Sequence, residues 1–224
     1  MSHPPARQTV EPGALPRHRH THGYVAIVIA GGYEEAGDAG RRRVEAGDVV
    51  VHRAFEAHLN RTPHAGAQVL NLPLPAAGLA AFGRIDDLDG LVRAAAHDPQ
   101  VASQALAAGF RATGPGAADW PDLLAAALAR GDAAPLGGWA AAFGLSPEHL
   151  SRGFGKVFGV SPQRFRLEAR ARAALADLPA GGALADLAAA HGFADQAHMT
   201  RSVRALTGRP PGAWRASNPF KTAS

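Results

Sequence analysis

A duplication near the C-terminus constrains this chain more than any other feature. The run LGGWAAAFGLSPEHLSRGFGKVFGVSPQRFR, from Leu136 to Arg166, returns imperfectly as LADLAAAHGFADQAHMTRSVRALTGRPPGAWR, from Leu184 to Arg215. Leu136, Trp139, Ala140, Gly144 and Leu145 recur 48 residues later as Leu184, Leu187, Ala188, Gly192 and Phe193. Arg152, Gly159, Pro162, Phe165 and Arg166 recur 49 residues later as Arg201, Gly208, Pro211, Trp214 and Arg215, so the second copy holds one extra residue between Phe193 and Met199. A repeat that keeps its apolar, turn and closing positions in register is a repeat of supersecondary units. Two copies make a tandem module, not a solenoid.

Each copy has the logic of a helix-turn-helix. In the first, Leu136 to Phe143 is a short apolar-periodic helix, Gly144 can turn at positive φ, and Ser146 is a good N-cap for a helix starting at Pro147. That helix is expected to run to about Phe158 and to bury Leu150, Phe154 and Val157, leaving Glu148, Ser151, Arg152 and Gly155 on its other face. In the second copy Leu184 to His191, a turn at Gly192 and a helix from about Asp195 to Leu206 repeat the design. Met199, Val203 and Leu206 face inward there, and Gln196, Ala197, Thr200, Arg201 and Arg204 outward, residue types suited to base edges and phosphates. Between the copies, Pro162 to Leu178 is a run of good helix formers long enough to hold two units about one DNA turn apart.

These residues resemble the DNA-binding domain of the AraC/XylS family of bacterial transcription regulators over roughly Asp119 to Ser217. The most specific part is Gly192-Phe193-Ala194-Asp195-Gln196-Ala197-His198-Met199-Thr200-Arg201, followed by Thr207-Gly208-Arg209-Pro210-Pro211; the first unit fits through Leu150-Ser151-Arg152, Phe154 and Gly159-Val160-Ser161-Pro162. The resemblance implies two recognition helices in successive major-groove segments of double-stranded operator DNA. Lys156, Arg164, Arg166 and Arg204 would then set register on phosphates, while Glu148, Ser151, Arg152, Gln196, Ala197, Thr200 and Arg201 face bases. Two departures stand out. Val203 takes a position where the family usually has Phe, and Gly153 and Gly155 lie inside the first recognition helix, each costing ~1 kcal/mol relative to Ala. The second copy is therefore expected to be the more rigid reader.

Charge agrees with a nucleic-acid-binding C-terminal half. The net charge of +4 is divided unevenly: residues 1–130 hold 12 Lys+Arg and 13 Asp+Glu, and residues 131–224 hold 11 and 6. A basic half joined to a near-neutral one meets a polyanion with one domain only. The chain has no cysteine, which excludes disulfides, thiolate metal sites and cysteine nucleophiles. No apolar stretch reaches membrane-spanning length and the start lacks a signal-peptide core, so a cytoplasmic location without membrane contact is expected.

The N-terminal half reads as β structure. Tyr24 to Ile29, Arg43 to Val51 and Gln68 to Leu74 are β-rich runs, with Gly31-Gly32 and Gly37-Asp38-Ala39-Gly40 as turns between them. No βαβ alternation appears, so a small antiparallel barrel is expected. Helical patterns follow over Ile85 to Ala96 and Val101 to Phe110, Thr113-Gly114-Pro115-Gly116 reads as a linker, and Asp119 caps the next helix. The expected division is 1–83 sensor, 84–118 helical connector and linker, and 119–218 DNA-binding domain, an α+β multidomain chain.

Histidine is the chemical oddity of this half. His18, His20, His22, His52, His58 and His64 all lie between positions 18 and 64. In an extended strand His18, His20 and His22 project to one face, where a fold-back could bring His58 to them. Gly13 to Tyr24, with Gly47 to His52 and then His58, resembles cupin motifs, and the AraC family commonly carries a cupin-like sensor. That resemblance implies His18, His20 and His58 as ligands in metal-binding members, with a carboxylate as a fourth, although no Glu sits three or four residues after His20. The effector or metal candidates are His18, His20, His22, Tyr24, His52 and His58. Zn, Fe, Ni and Cu suit such a site; histidines that hydrogen-bond an effector, or each other, without metal are the other reading. His64 reads as a surface residue. Arg41-Arg42-Arg43, Glu34-Glu35 and Asp86-Asp87-Asp89 read as a solvated hairpin end, a hairpin pair and a helix start favoured by the helix dipole.

The chain thus reads as a non-enzymatic, sequence-specific transcription regulator controlled by a small ligand or by a divalent transition metal such as Zn. RNA polymerase is a further partner if it activates, and a homodimer is a further expectation. The alternative is a metal-dependent cupin enzyme with an accessory helical domain.

Overall fold

The computed structural model describes residues 4–114 and 119–215, which fall into two compact units. The proline and second glycine of the expected linker, Pro115-Gly116, lie outside the described residues, as do Ser217 and His3.

The first unit contains β1 (Arg7–Val10), β2 (Gly13–Arg19), β3 (Tyr24–Gly37), β4 (Gly40–Glu45), β5 (Asp48–His52), β6 (Ala57–Thr62), β7 (Ala67–Pro73) and β8 (Phe82–Arg84). Helices α1 (Leu88–His97) and α2 (Pro99–Gly109) precede β9 (Arg111–Ala112). All pairings are antiparallel, as the absence of βαβ alternation predicts. The expected closure into a barrel does not occur: the path β1-β7-β3-β5-β8-β9 is open at both ends, with β4 and β6 branching from β3 and β2 pairing with β6, so the sheet stays open among the described residues. The cause lies in β3. Its first half pairs with β5 and β7, its second half with β4 and β6, and a bulge between Val28 and Ala30 marks the change.

Gly31 and Gly32 sit at that change, inside β3 and not in a turn. A Cβ on Gly31 would stand 2.2 Å from the Gly66 carbonyl oxygen and one on Gly32 would stand 2.4 Å from that of Val44, and Gly31 has φ +68°. Glycine is required here by close strand approach. The hairpin turn falls at Asp38-Ala39. Asp38 is buried and takes the Arg17 guanidinium at 2.5 Å and the Ala57 amide at 2.7 Å, which pins the turn to β2 and β6. The single run expected from Arg43 to Val51 is two strands, β4 and β5, broken by Gly47 at φ +88°.

The YVAIVI run is apolar at every position because both faces of the sheet are covered. Val25, Ile27, Val49, Val51, Leu70 and Leu72 pack with Leu91 of α1 and with Ala102 and Leu106 of α2. Tyr24, Ala26, Val28, Val50 and Val69 face the opposite way, with Tyr33, Val44 and Phe82. Residues 84–114 therefore share the core of the strands. Ser103 donates to the Pro73 carbonyl at 2.8 Å and ties α2 to β7. Asp87 caps α1 by accepting from the Gly90 amide at 2.8 Å, as the acidic cluster at this helix start suggests.

The second unit is helical: α3 (Trp120–Ala129), α4 (Leu136–Ala142), α5 (Pro147–Phe158), α6 (Pro162–Asp177), α7 (Leu184–Ala190) and α8 (Gln196–Thr207), with 3-10 turns at Leu178–Ala180 and Pro211–Ala213. Helix α6 touches α3, α5, α7 and α8, and so serves as the common wall of both repeats. In α5 the buried positions are Leu150, Phe154 and Phe158, where Val157 was expected in place of Phe158. The reason is aromatic packing: the Phe158 ring lies 4.7 Å from Phe154 and 5.6 Å from Phe165 of α6. No helix among the described residues is long and apolar enough to cross a membrane.

Candidate nucleic-acid interface and histidine cavity

The two copies of the repeat fold alike. Gly144 and Gly192 make the turns at φ +66° and +69°, and Gly159 and Gly208 end α5 and α8 in the left-handed region at +73° and +77°. Ser146 accepts from the His149 amide at 3.2 Å and Asp195 accepts from the His198 amide at 2.6 Å, so each recognition helix starts on a side-chain cap at the equivalent position. On α5, Glu148, Ser151, Arg152 and Lys156 are exposed; on α8, Gln196, Ala197, Arg201 and Arg204 are exposed and Thr200 is half-buried. The amide of Glu148 itself and the Ser146 hydroxyl hold the Glu148 carboxyl below its ordinary range, which keeps it a hydrogen-bond acceptor.

Two arginines expected on phosphates have internal partners. Arg164 pairs with the buried Glu168 one helical turn on, at 2.7 Å. Arg166 donates to the Ala134 carbonyl at 2.6 Å, just before α4, and its repeat counterpart Arg215 donates to the Gly182 carbonyl just before α7. The duplicated arginine thus latches the entry of each helix-turn-helix. Gly153 also has a packing role: a Cβ there would come within 2.5 Å of the Trp120 ring. Gly155 has no such contact.

In the first unit His18, His20, Tyr24, His52 and His58 come together at a cavity of about 300 Å³, also lined by Gln8, Tyr33, Asn60 and Asn71. His22 is exposed and does not line the cavity, and His64 is exposed too. The His58 ring lies 4.3 Å from that of His18 and 4.2 Å from that of His52, which stacks on Tyr24 at 4.5 Å. Glu35, expected at a hairpin end, instead points into this cluster and is 3 % exposed. Its Oε2 stands 3.3 Å from His58 Nδ1 and 3.6 Å from His52 Nε2. The strand alternation Tyr33, Glu35 places it inside, a signal that the turn-like composition of Gly31-Gly32 masks in the sequence. Burial holds the His52 imidazole down to about 3 despite Glu35 beside it, and burial with the Glu35 charge raises the Tyr24 phenol. For Glu35, burial pushes the carboxyl up, and the imidazoles of His52 and His58 outweigh it. The donor set fits a divalent transition metal: buried imidazoles and one carboxylate, with donor atoms of Glu35, His52 and His58 within 4.8 Å of one another, and likewise those of His18, His20 and His58.

Residues 139–217 match the family described as a helix-turn-helix domain. The match supports one class, a DNA-binding transcription regulator. More particularly, the tandem arrangement and its signature residues resemble a domain of the AraC type. Among solved structures, an AraC-type DNA-binding domain-containing regulator from Chromobacterium violaceum is 22 % identical over 42 % of this chain and 86 % of its own, with a TM-score of 0.38. A cupin-2 domain protein from Shewanella frigidimarina is 21 % identical over 29 % of this chain and 63 % of its own, TM-score 0.26. The fatty acid-bound ToxT of Vibrio cholerae aligns over 98 % of this chain and 96 % of its own at 9 % identity, TM-score 0.40. No curated protein matches the chain.

Proposed function

We propose that this chain is a ligand-controlled regulator whose α5 and α8 enter successive major-groove segments of one operator, and whose N-terminal cavity receives a small effector. The observation that carries the reading is the equivalence of α5 and α8: same cap position, same terminal glycine, and Arg152 and Arg201 exposed at matching places. Arg201 and Arg152 suit guanine, and Gln196 suits adenine. Lys156 and Arg204 carry phosphate contacts, with Arg164 adding to them from the start of α6. Arg166 contributes register through the entry it latches. The cavity mixes imidazole, phenol and carboxamide groups and has no Arg or Lys in its lining, which favours a small polar ligand over a large anion.

Selecting bound genomic fragments tests the reading, with and without added Zn²⁺ or small metabolites. Two half-sites about 10 bp apart are expected, in keeping with two helices on one DNA face. Retention without sequence enrichment would overturn it. The second reading, metal-dependent catalysis in the first unit, is favoured by the convergence of Glu35 with four histidines; purified chain with no metal above trace on elemental analysis removes it and leaves the regulator standing.

A further inference from the structure

The cupin resemblance points to His18, His20 and His58 as a ligand set and leaves the carboxylate unassigned. In the structure these three are not equivalent. His18 and His20 are half-buried, with His18 Nδ1 3.0 Å from the Pro16 carbonyl and His20 Nε2 3.4 Å from the Tyr24 hydroxyl. Deeper in, Glu35, His52 and His58 are 3 %, 6 % and 6 % exposed. Glu35 Oε2 and both ring nitrogens of His58 are buried and make no hydrogen bond. Folded proteins leave few such atoms unpaired, since each forfeits its hydration. Here three such atoms converge on one cluster.

Their spacing is informative. The 3.3 Å and 3.6 Å contacts from Glu35 Oε2 to His58 and His52 are too long and misaligned for charge-assisted hydrogen bonds, which run about 2.7–2.9 Å. A tetrahedral ion with bonds of about 2.0–2.1 Å places neighbouring donor atoms about 3.3–3.4 Å apart. We propose that Glu35, His52 and His58 form a centre for a divalent transition metal, with His18 and His20 serving as outer positions at the cavity and not as anchors. Two imidazoles and one carboxylate suit Zn²⁺ and its first-row neighbours, whereas Ca²⁺ and Mg²⁺ prefer all-oxygen shells. Three protein ligands leave a coordination position for water or for a donor atom of a cavity ligand. The carboxylate missing after His20 is supplied by β3.

The assignment rests on reading the cavity as the ligand site of this unit, and does not depend on DNA binding. Full-length protein stripped with chelator is titrated with Zn²⁺ and with Co²⁺, and bound metal is read by elemental analysis after dialysis and by the visible absorption of Co²⁺. One ion per chain is expected. Removing a ligand costs more than the roughly 10–100-fold typical of residues that only orient ligands. Glu35→Gln and His52→Gln should therefore weaken binding by more than about 100-fold, and His18→Gln and His20→Gln by about tenfold or less. Glu35→Asp keeps a carboxylate and should retain the Co²⁺ spectrum that Glu35→Gln loses, which separates ligation from simple misfolding; circular dichroism checks each variant. Metal bound at full affinity by Glu35→Gln but lost in His18→Gln and His20→Gln overturns the assignment while leaving the cavity a metal site. No metal bound by the parent chain overturns it outright. Stoichiometric metal that leaves operator binding unchanged keeps the assignment and excludes the ion alone as the effector.

Discussion

Arg152 and Arg201 stand at the same place in two copies of one motif, both exposed, each six residues beyond its cap. If they read bases, Arg201→Ala should cost about 1–3 kcal/mol and relax the preference at one base position, while Lys156→Ala should weaken all sequences alike and lower the salt slope by about 1. Competition binding against single-base operator variants measures both; an Arg201→Ala protein with parental affinity and preference would exclude the base-reading role. Gly153 shows why a residue cannot be judged from propensity alone. Exchanging it for Ala gains ~1 kcal/mol of helix propensity. The new methyl, however, would sit 2.5 Å from the rigid Trp120 ring, and overpacking of this kind costs about 1–3 kcal/mol. Net destabilisation is expected for Gly153→Ala and none for Gly155→Ala, as urea denaturation will report. The first recognition helix is therefore less softened than its two glycines suggest: one of them is a docking notch.

At the level of elements, the helices of the second unit were legible because their signals are local. Ser146, Asp195, Gly159 and Gly208 act within one turn of the backbone they cap, so spacing alone announces them. Strand β3 was not legible to its end. Gly31-Gly32 has the composition of a turn, but its glycines answer to Gly66 and Val44, which are remote in sequence. The misplaced turn cut β3 short and hid Glu35. Gly31→Ala should cost about 1–3 kcal/mol from its positive φ alone, with steric conflict against the Gly66 carbonyl adding to it. Leu106→Ala, in the helix layer on the other face, should cost about 2–5 kcal/mol, because Leu106 is fully buried against the sheet. Chemical denaturation followed by circular dichroism checks both. Arg166 and Arg215 teach the same lesson in the helical unit: the repeat made them conspicuous, yet only the fold shows them gripping the Ala134 and Gly182 carbonyls.

At the level of the whole molecule, two compact units with separate cores predict two unfolding transitions on heating, and a metal held by the first unit should raise only one of them. Coincident transitions by calorimetry, with and without Zn²⁺, would contradict that independence. Operator affinity should fall steeply with salt, by a log–log slope of about −0.9 for each phosphate neutralised. The order of residues along the chain is enough to dictate the tandem helix-turn-helix, the exposed faces of α5 and α8, the antiparallel character of the first half and the charge divided between the halves. These depend on periodicity, caps and composition, which act over a few residues. Only the fold shows that the sheet stays open, that Glu35 and His52 join His58 while His22 stays outside the cavity, and that Arg164 and Arg166 have partners of their own. Such choices depend on which strands and helices meet across long stretches of chain, and contact between distant residues leaves no periodic mark in one sequence.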